Sequence, residues 1–278
     1  IHYGISALEM CDGMFSFAIY DSKENRLFFA RDRAGEKPMY YYHDGNTLYF
    51  ASELKALLAN NCLPRRIDPI SFDCYLSMGY VPAELCILKG YKKLPPAHAM
   101  VFDINNGVIK TWKYWELPLE DSSQFLDPEI LLDRYEGLLE NAVQKQLIAD
   151  VPVGVLLSGG VDSSLITAMA ARTSNKIKTF TIRFPGHAGA DETEHARLIA
   201  NHFDTEHIEL EASSASAELI PLLAKQYDEP IVDSSMIPTY LVSNLIGKHC
   251  KVALGGDGGD ELFGGYGHHS RLLWMSKY

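Results

Sequence analysis

The run Val155-Leu156-Leu157-Ser158-Gly159-Gly160-Val161-Asp162-Ser163-Ser164 carries an apolar stretch into a Gly/Ser turn and then into a helical pattern. A passage of that kind suits an anion. Gly159 and Gly160 let the backbone approach a ligand closely and take positive φ, while Ser158, Ser163 and Ser164 offer hydroxyls at a helix start whose free N–H groups favour negative charge. Phosphate is the natural occupant. Asp162, inside the same nest, would repel phosphate unless a divalent cation stood between them, which points to Mg²⁺. The plainer alternative is an ordinary turn capped by Asp162 and Ser163. The strand before it, the helix after it and the interior acid together weigh against that alternative. No G-x-x-x-x-G-K-[ST] occurs, so the loop is not of the Walker type.

The elements that must position this loop follow from the rest of the chain. Its 278 residues, 47% hydrophobic, suffice for about two domains and exclude disorder or a disulfide-stapled miniprotein. Lys plus Arg is 25, Asp plus Glu is 36 and the net charge is −11, without a basic run, which excludes a duplex-binding face but not a nucleotide. Five scattered cysteines without a C-x-x-C pair read as reduced, mostly packed thiols in a cytoplasmic protein. No apolar run reaches the roughly 18 residues that span a bilayer, and residues 1–4 lack the pattern of an export signal.

Residues 14–115 alternate short apolar runs with turn residues, including hairpins around Asp21–Asn25 and Asp44-Gly45, and Ser52 is placed to cap a short helix from Glu53 to Ala59. A mostly antiparallel sheet is expected there. Residues 116–128 read as a linker. Beyond it, helical spacing over 130–146 gives way to alternating strands (153–157, 178–184, 206–210, 252–255) and helices (163–172, 191–203, 215–226, 235–249). That alternation predicts a doubly wound parallel α/β sheet with its ligand beyond the carboxyl ends of the strands.

Ser158-Gly159-Gly160-Val161-Asp162-Ser163 resembles the pyrophosphate loop of the enzymes that cleave ATP between the α- and β-phosphates. Leu254-Gly255-Gly256-Asp257-Gly258-Gly259-Asp260-Glu261-Leu262-Phe263-Gly264-Gly265-Tyr266 narrows the likeness to the glutamine-hydrolysing asparagine synthetase family, which places such a loop opposite the first. The front segment, from Asp12-Gly13-Met14-Phe15 through Arg31-Asp32-Arg33 to Glu53-Leu54-Lys55, is similar to the latter part of that family's N-terminal-nucleophile glutaminase domain. Taken alone, Arg31, Asp32 and Arg33 read as a fixed turn network and Phe15 and Phe17 as core.

The resemblance implies a partial glutaminase-type β-sheet domain over 1–115, a linker over 116–128 and an ATP-pyrophosphatase domain over 129–278. It implies ATP held by Leu156, Leu157, Ser158, Gly159, Gly160, Asp162, Ser163, Ser164, Ile182, Gly255 and Gly256. Mg²⁺ would lie between Asp162 and Asp260, with Asp257 acting in the amination step. It implies small-molecule substrates (ATP, aspartate or another carboxylate, and ammonia from glutamine), no nucleic acid or membrane, and allows a homodimer. The glutaminase nucleophile and the residues holding glutamine are expected outside these 278 residues, with the synthetase domain also continuing past them.

Many asparagine synthetases carry Ser-Gly-Glu-Gly-Ser-Asp where this chain has Gly255-Gly256-Asp257-Gly258-Gly259-Asp260, an acid one methylene shorter. Amidation of a sugar uronate or peptide carboxyl is therefore a second reading, and a nucleotide-binding remnant without turnover a third. His195, His202 and His207 suggest zinc only weakly, since no partner recurs at ligand spacing. Tyr227-Asp228-Glu229-Pro230, with Asp233 and Ser234, is expected to cap and turn into the next helix.

Overall fold

A computed structural model describes residues 3–118, 127–174, 176–183, 192–212 and 218–276. The chain divides into two compact units, residues 1–121 with 218–234, and residues 122–217 with 235–278.

The first unit opens on a 3-10 helix, Gly4–Met10, followed by strands β1 (Ser16–Asp21), β2 (Arg26–Arg31), β3 (Tyr40–His43), β4 (Leu48–Ala51), β5 (Tyr91–Lys93), β6 (His98–Asp103) and β7 (Ile109–Lys113). These pair in two antiparallel sheets, ordered β1-β2-β6-β7 and β4-β3-β5. Both expected hairpins are present. The Asp44 carboxylate accepts the N–H groups of Asn46 and Thr47 at 2.9 and 2.7 Å, which closes the β3–β4 turn locally. Phe29, Met39, Leu94, Met100 and Phe102 form one buried cluster, and Tyr40, Leu54, Leu57, Cys86 and Tyr91 belong to another. Helix α1 (Leu54–Leu58) has Glu53 as its N-cap residue and no cap from its own neighbourhood, so Ser52 does not play the expected part. Helix α2 (Pro69–Met78) was not anticipated. Asp68 accepts the Ser71 N–H to start it, and Gly79, at φ 82°, ends it.

The Arg31-Asp32-Arg33 segment is the turn network that the sequence suggests. Arg31 donates to the carbonyls of Lys37, Leu94 and Gly35. Asp32, 1% exposed, accepts the N–H groups of Phe15, Glu36 and Lys37 at 3.2, 2.9 and 3.0 Å. Burial pushes the Asp32 carboxyl up, but the backbone N–H groups of Lys37, Glu36, Phe15 and Gly35 together outweigh it and hold the pKa below its ordinary value. The folded state thus binds this proton less tightly than the unfolded chain. Its contribution to stability is complete above the unfolded carboxylate range, near pH 4, and is lost as the pH falls through the folded pKa. Asp32→Asn should therefore lower the melting temperature at neutral pH, with the gap to the parent narrowing below about pH 4. Thermal melts carried into the acid range check this; a gap independent of pH would show that Asp32 acts without its charge.

The second unit begins with α3 (Pro128–Leu147) and runs through β8 (Val153–Leu156), α4 (Val161–Thr173), β9 (Lys178–Arg183), α5 (Thr193–His202) and β10 (Glu206–Glu211). The chain then returns to the first unit as α6 (Leu219–Gln226) before re-entering the second as α7 (Met236–Ile246), β11 (Val252–Leu254), α8 (Gly259–Phe263) and α9 (Gly267–Met275). The four strands are parallel in the order β10-β9-β8-β11. Val155, Ile177 and Leu254 pack with Val143 of α3 and with Met169 and Ala170 of α4, while Phe180, with Leu156 and Ile182, packs with Ile246 of α7. Helices thus cover both faces, as the alternating pattern predicts. Of the expected segments, residues 119–126 of the linker, 184, 191 and 215–217 lie outside the described residues.

The 218–234 return explains acids that the sequence assigned to a local turn. Asp228 does cap a helix, but α1 and not the next one: its carboxylate accepts the N–H groups of Leu54 at 2.7 Å and Lys55 at 3.0 Å. Glu229 accepts the Ile87 N–H at 2.7 Å and pairs with Lys93 Nζ at 2.7 Å. The five cysteines are free, with Cys86 and Cys250 buried and Cys62 exposed. Among the described residues, no helix is long and apolar enough to cross a membrane.

Candidate active site

Strands β8, β9 and β10 are laid down outward on one side of the sheet, and β11 then comes in on the other side of β8. The winding reverses between β8 and β11, so the loops leaving their carboxyl ends part and open a crevice. Those loops are 157–160 and 255–258, the two glycine-rich runs.

The first loop is braced from within. Ser163 Oγ accepts the Ser158 N–H at 3.2 Å, lies 2.9 Å from Ser158 Oγ and donates to the Gly160 carbonyl at 3.2 Å. The Ser163 hydroxyl therefore ties the turn to α4, and Thr167 Oγ1 fixes the next turn on the Ser163 carbonyl at 2.8 Å. Gly160 is the N-cap of α4 at φ −70°, so of the two glycines only Gly159, at φ 90°, takes the positive φ expected of both. Helix α4 consequently starts at Val161, two residues earlier than expected, and brings Asp162 into its first turn, where the helix dipole favours an acid.

A Cβ on Gly159 would stand 2.9 Å from the Ala196 backbone nitrogen and 3.0 Å from the Glu192 carbonyl oxygen, whereas one on Gly160 would meet only Ser158 Oγ, at 3.4 Å. Gly159→Ala should cost about 2 kcal/mol or more, from the left-handed backbone and the crowding against α5. Gly160→Ala should cost less, about 1 kcal/mol or below, from the poorer N-cap alone. Paired thermal melts test the contrast, and equal losses would contradict it.

The second loop presses on the first. A Cβ on Gly256 would stand 3.0 Å from the Ser163 nitrogen, and one on Gly259 would stand 2.6 Å from Asp162 Oδ2. Since adjacent Cα atoms are about 3.8 Å apart, the Asp260 Cα lies within about 8 Å of the Asp162 carboxylate. Asp257 folds back, its Oδ2 2.7 Å from where a Cβ on Gly255 would be. Tyr266 donates its hydroxyl to Glu261 Oε1 at 2.8 Å, and that bond, with the charges of Asp260 and Asp257 adding to it, raises the phenol pKa.

Between the loops is a cavity of about 290 Å³ lined by Leu156, Ser158, Gly160, Val161, Asp162, Ser163, Gly255, Gly256 and Asp257. It gathers eight of the residues singled out from the sequence and adds Val161, whose only signal was its place inside the motif. Leu157, Gly159, Ser164, Ile182 and Asp260 do not line it. Leu157 is buried against Ala196 and Ala200, and Ile182 packs beside Phe180. His207 sits on β10 with Nδ1 3.0 Å from Thr179 Oγ1, and burial lowers its pKa. Among the described residues, no group of three or more His, Cys, Asp or Glu side chains is placed to hold a metal.

The family model described as asparagine synthase matches residues 134–278, slightly more than half of the chain. The chain belongs to the asparagine synthase family. The glutamine amidotransferase domain model matches residues 1–115. A Methanocaldococcus jannaschii protein provisionally named asparagine synthetase [glutamine-hydrolyzing] 2 is 38% identical over 271 residues, covering 96% of this chain and 52% of that protein. Asparagine synthetase [glutamine-hydrolyzing] 1 of Bacillus subtilis is 33% identical over 281 residues, covering 100% and 43%. The chain spans about half the length of these curated relatives. Among solved structures, NH3-dependent NAD synthetase from Campylobacter jejuni aligns at 18% identity over 49% of this chain and 60% of that one, with a TM-score of 0.32.

Proposed function

We propose that the chain is part of a glutamine-hydrolysing asparagine synthase: a carbon–nitrogen ligase that adenylates aspartate with ATP and transfers ammonia from glutamine to it, releasing AMP and pyrophosphate. One observation carries this reading: both glycine-rich loops line a single cavity at the point where the parallel sheet reverses. A carboxylate accepts ammonia poorly until its oxygen is bonded to the α-phosphorus of ATP, with departure of pyrophosphate. Ammonia then attacks the acyl carbon, and AMP leaves with that oxygen.

The free N–H groups at the start of α4 and the close backbone of Gly160 cradle the phosphates, while Gly255 and Gly256, on the facing wall of the same cavity, border the nucleoside and acyl groups. Two carboxylates suit Mg²⁺, which takes its other oxygens from water and substrate phosphates, so Asp162 and Asp260 fit a phosphate-bridged ion better than an all-protein cage. Bound there, Mg²⁺ would supply the positive charge that offsets these acids and the departing pyrophosphate. Asp257, on the cavity wall, orients the attacking ammonia or takes its proton. Small-molecule substrates, a cytoplasmic setting and a homodimer accord with this reading.

The shorter acid at Asp257, folded back over Gly255, favours a second reading with a bulkier acceptor such as a sugar uronate. Carboxyl-¹⁸O aspartate tests both. In the full-length protein, one labelled oxygen should appear in AMP. Unlabelled AMP from aspartate together with labelled AMP from an ¹⁸O-uronate would establish the second reading in place of the first.

A further inference from the structure

Gly265 is not among the residues that line the cavity between the loops, yet the loop's geometry turns on it. Gly264, the C-cap of α8 at φ 68°, reverses the chain so that the Gly265 N–H donates to the Asp260 carbonyl at 3.0 Å. The Tyr266 hydroxyl on Glu261 fastens the reversal. Gly265 thereby lies directly against the Asp260 side chain: a Cβ on it would overlap Oδ1 and stand 2.9 Å from Cγ and 3.2 Å from Cα. Gly265 is not among the left-handed glycines, so its missing side chain supplies room and not a backbone conformation. At Gly267, two residues on, a Cβ would meet nothing within 4 Å.

We propose that Gly265 is a positioning residue for Asp260. By lacking a Cβ it leaves the space that the Asp260 carboxylate occupies, and so sets the direction in which that carboxylate points. The inference rests on the reading of Asp260 as a Mg²⁺ ligand. An alanine here displaces chiefly the end of a short side chain, which can rotate away, while the Asp260 Cα need yield only a few tenths of an ångström. The fold therefore survives and the ligand is misdirected. Residues that orient metal ligands typically change affinity by roughly 10- to 100-fold when altered.

Mn²⁺ binding, followed by electron paramagnetic resonance in the full-length protein with a non-hydrolysable ATP analogue, tests this without turnover. Gly265→Ala should weaken Mn²⁺ by about tenfold or more, and Gly267→Ala should bind it like the parent. Gly265→Ala combined with Asp260→Asn should bind no worse than Asp260→Asn alone, because both act on one carboxylate. If Gly265→Ala melts early, adding Asp260→Ala should restore the melting temperature, since the overlapped atoms are then gone. Parent-like affinity in Gly265→Ala beside a weakened Asp260→Asn overturns the inference and leaves the metal reading standing. Parent-like affinity in Asp260→Asn removes the metal reading and the inference with it. Additive losses, or no restoration by Asp260→Ala, would place the effect of Gly265 elsewhere and overturn its role.

Discussion

In the full-length protein, Asp162→Asn should reduce aspartate-dependent exchange of pyrophosphate into ATP by at least about a hundredfold while leaving the fold intact. The substitution removes a charge and almost no volume. As a helix N-terminal acid, Asp162 contributes about 0.3–1 kcal/mol through the dipole of α4, a loss that melting would barely register. Its carboxylate lies against Gly259, facing the second acidic loop, where triphosphate would add further negative charge. On the proposed reading a cation would reconcile these groups, and Asp162 lines the cavity where the phosphates would lie. Ordinary exchange in a variant shown to be folded by circular dichroism would reduce Asp162 to a dipole partner.

The second large effect concerns stability in the first unit. Lys93→Met should cost about 3 kcal/mol, because it leaves the largely enclosed Glu229 carboxylate without its cation. The two side chains are 13% and 11% exposed, and Lys93 also donates to the Val81 carbonyl at 3.0 Å. Glu229 keeps the Ile87 N–H, which does not offset the loss of the ammonium beside it. For a unit of this size the melting temperature should fall by roughly 10 °C. Asp228→Ala, which removes the cap on α1 and the half-exposed ion pair with Lys55 Nζ, should cost about 1 kcal/mol. Thermal melts of the two variants provide the comparison, and a Lys93→Met loss no larger than that of Asp228→Ala would refute the role of the buried pair.

The contrast between Asp162 on one side and Asp228 and Glu229 on the other shows how far the sequence could be read. Asp162 was legible because everything that defines its role is local: an apolar strand, a turn with room for an anion, a helix, and an acid where none should be. The same locality made β8 to β11 and the helices between them readable to within a few residues, since the inner strands are short apolar runs, buried on both faces, that alternate with helix-length segments. Asp228 and Glu229 were read as local turn residues because their partners, Leu54, Lys55, Ile87 and Lys93, are more than a hundred positions away. Helix α2 had readable ends in Asp68-Pro69 and Gly79, but its apolar residues follow no clear stripe. The expectation that Gly160 would take positive φ failed because an N-cap residue takes an extended backbone, which leaves the left-handed turn to Gly159 alone.

On the proposed reading, the two loops at the β8–β11 reversal form one site that cleaves ATP between its α- and β-phosphates. Phosphorus NMR of the full-length protein supplied with MgATP, aspartate and ammonia tests it most directly. AMP and pyrophosphate should accumulate in equal amounts, and only when the acceptor carboxylate is present. Formation of ADP and inorganic phosphate would contradict the account, because it would place the cleaved bond at the γ-phosphate.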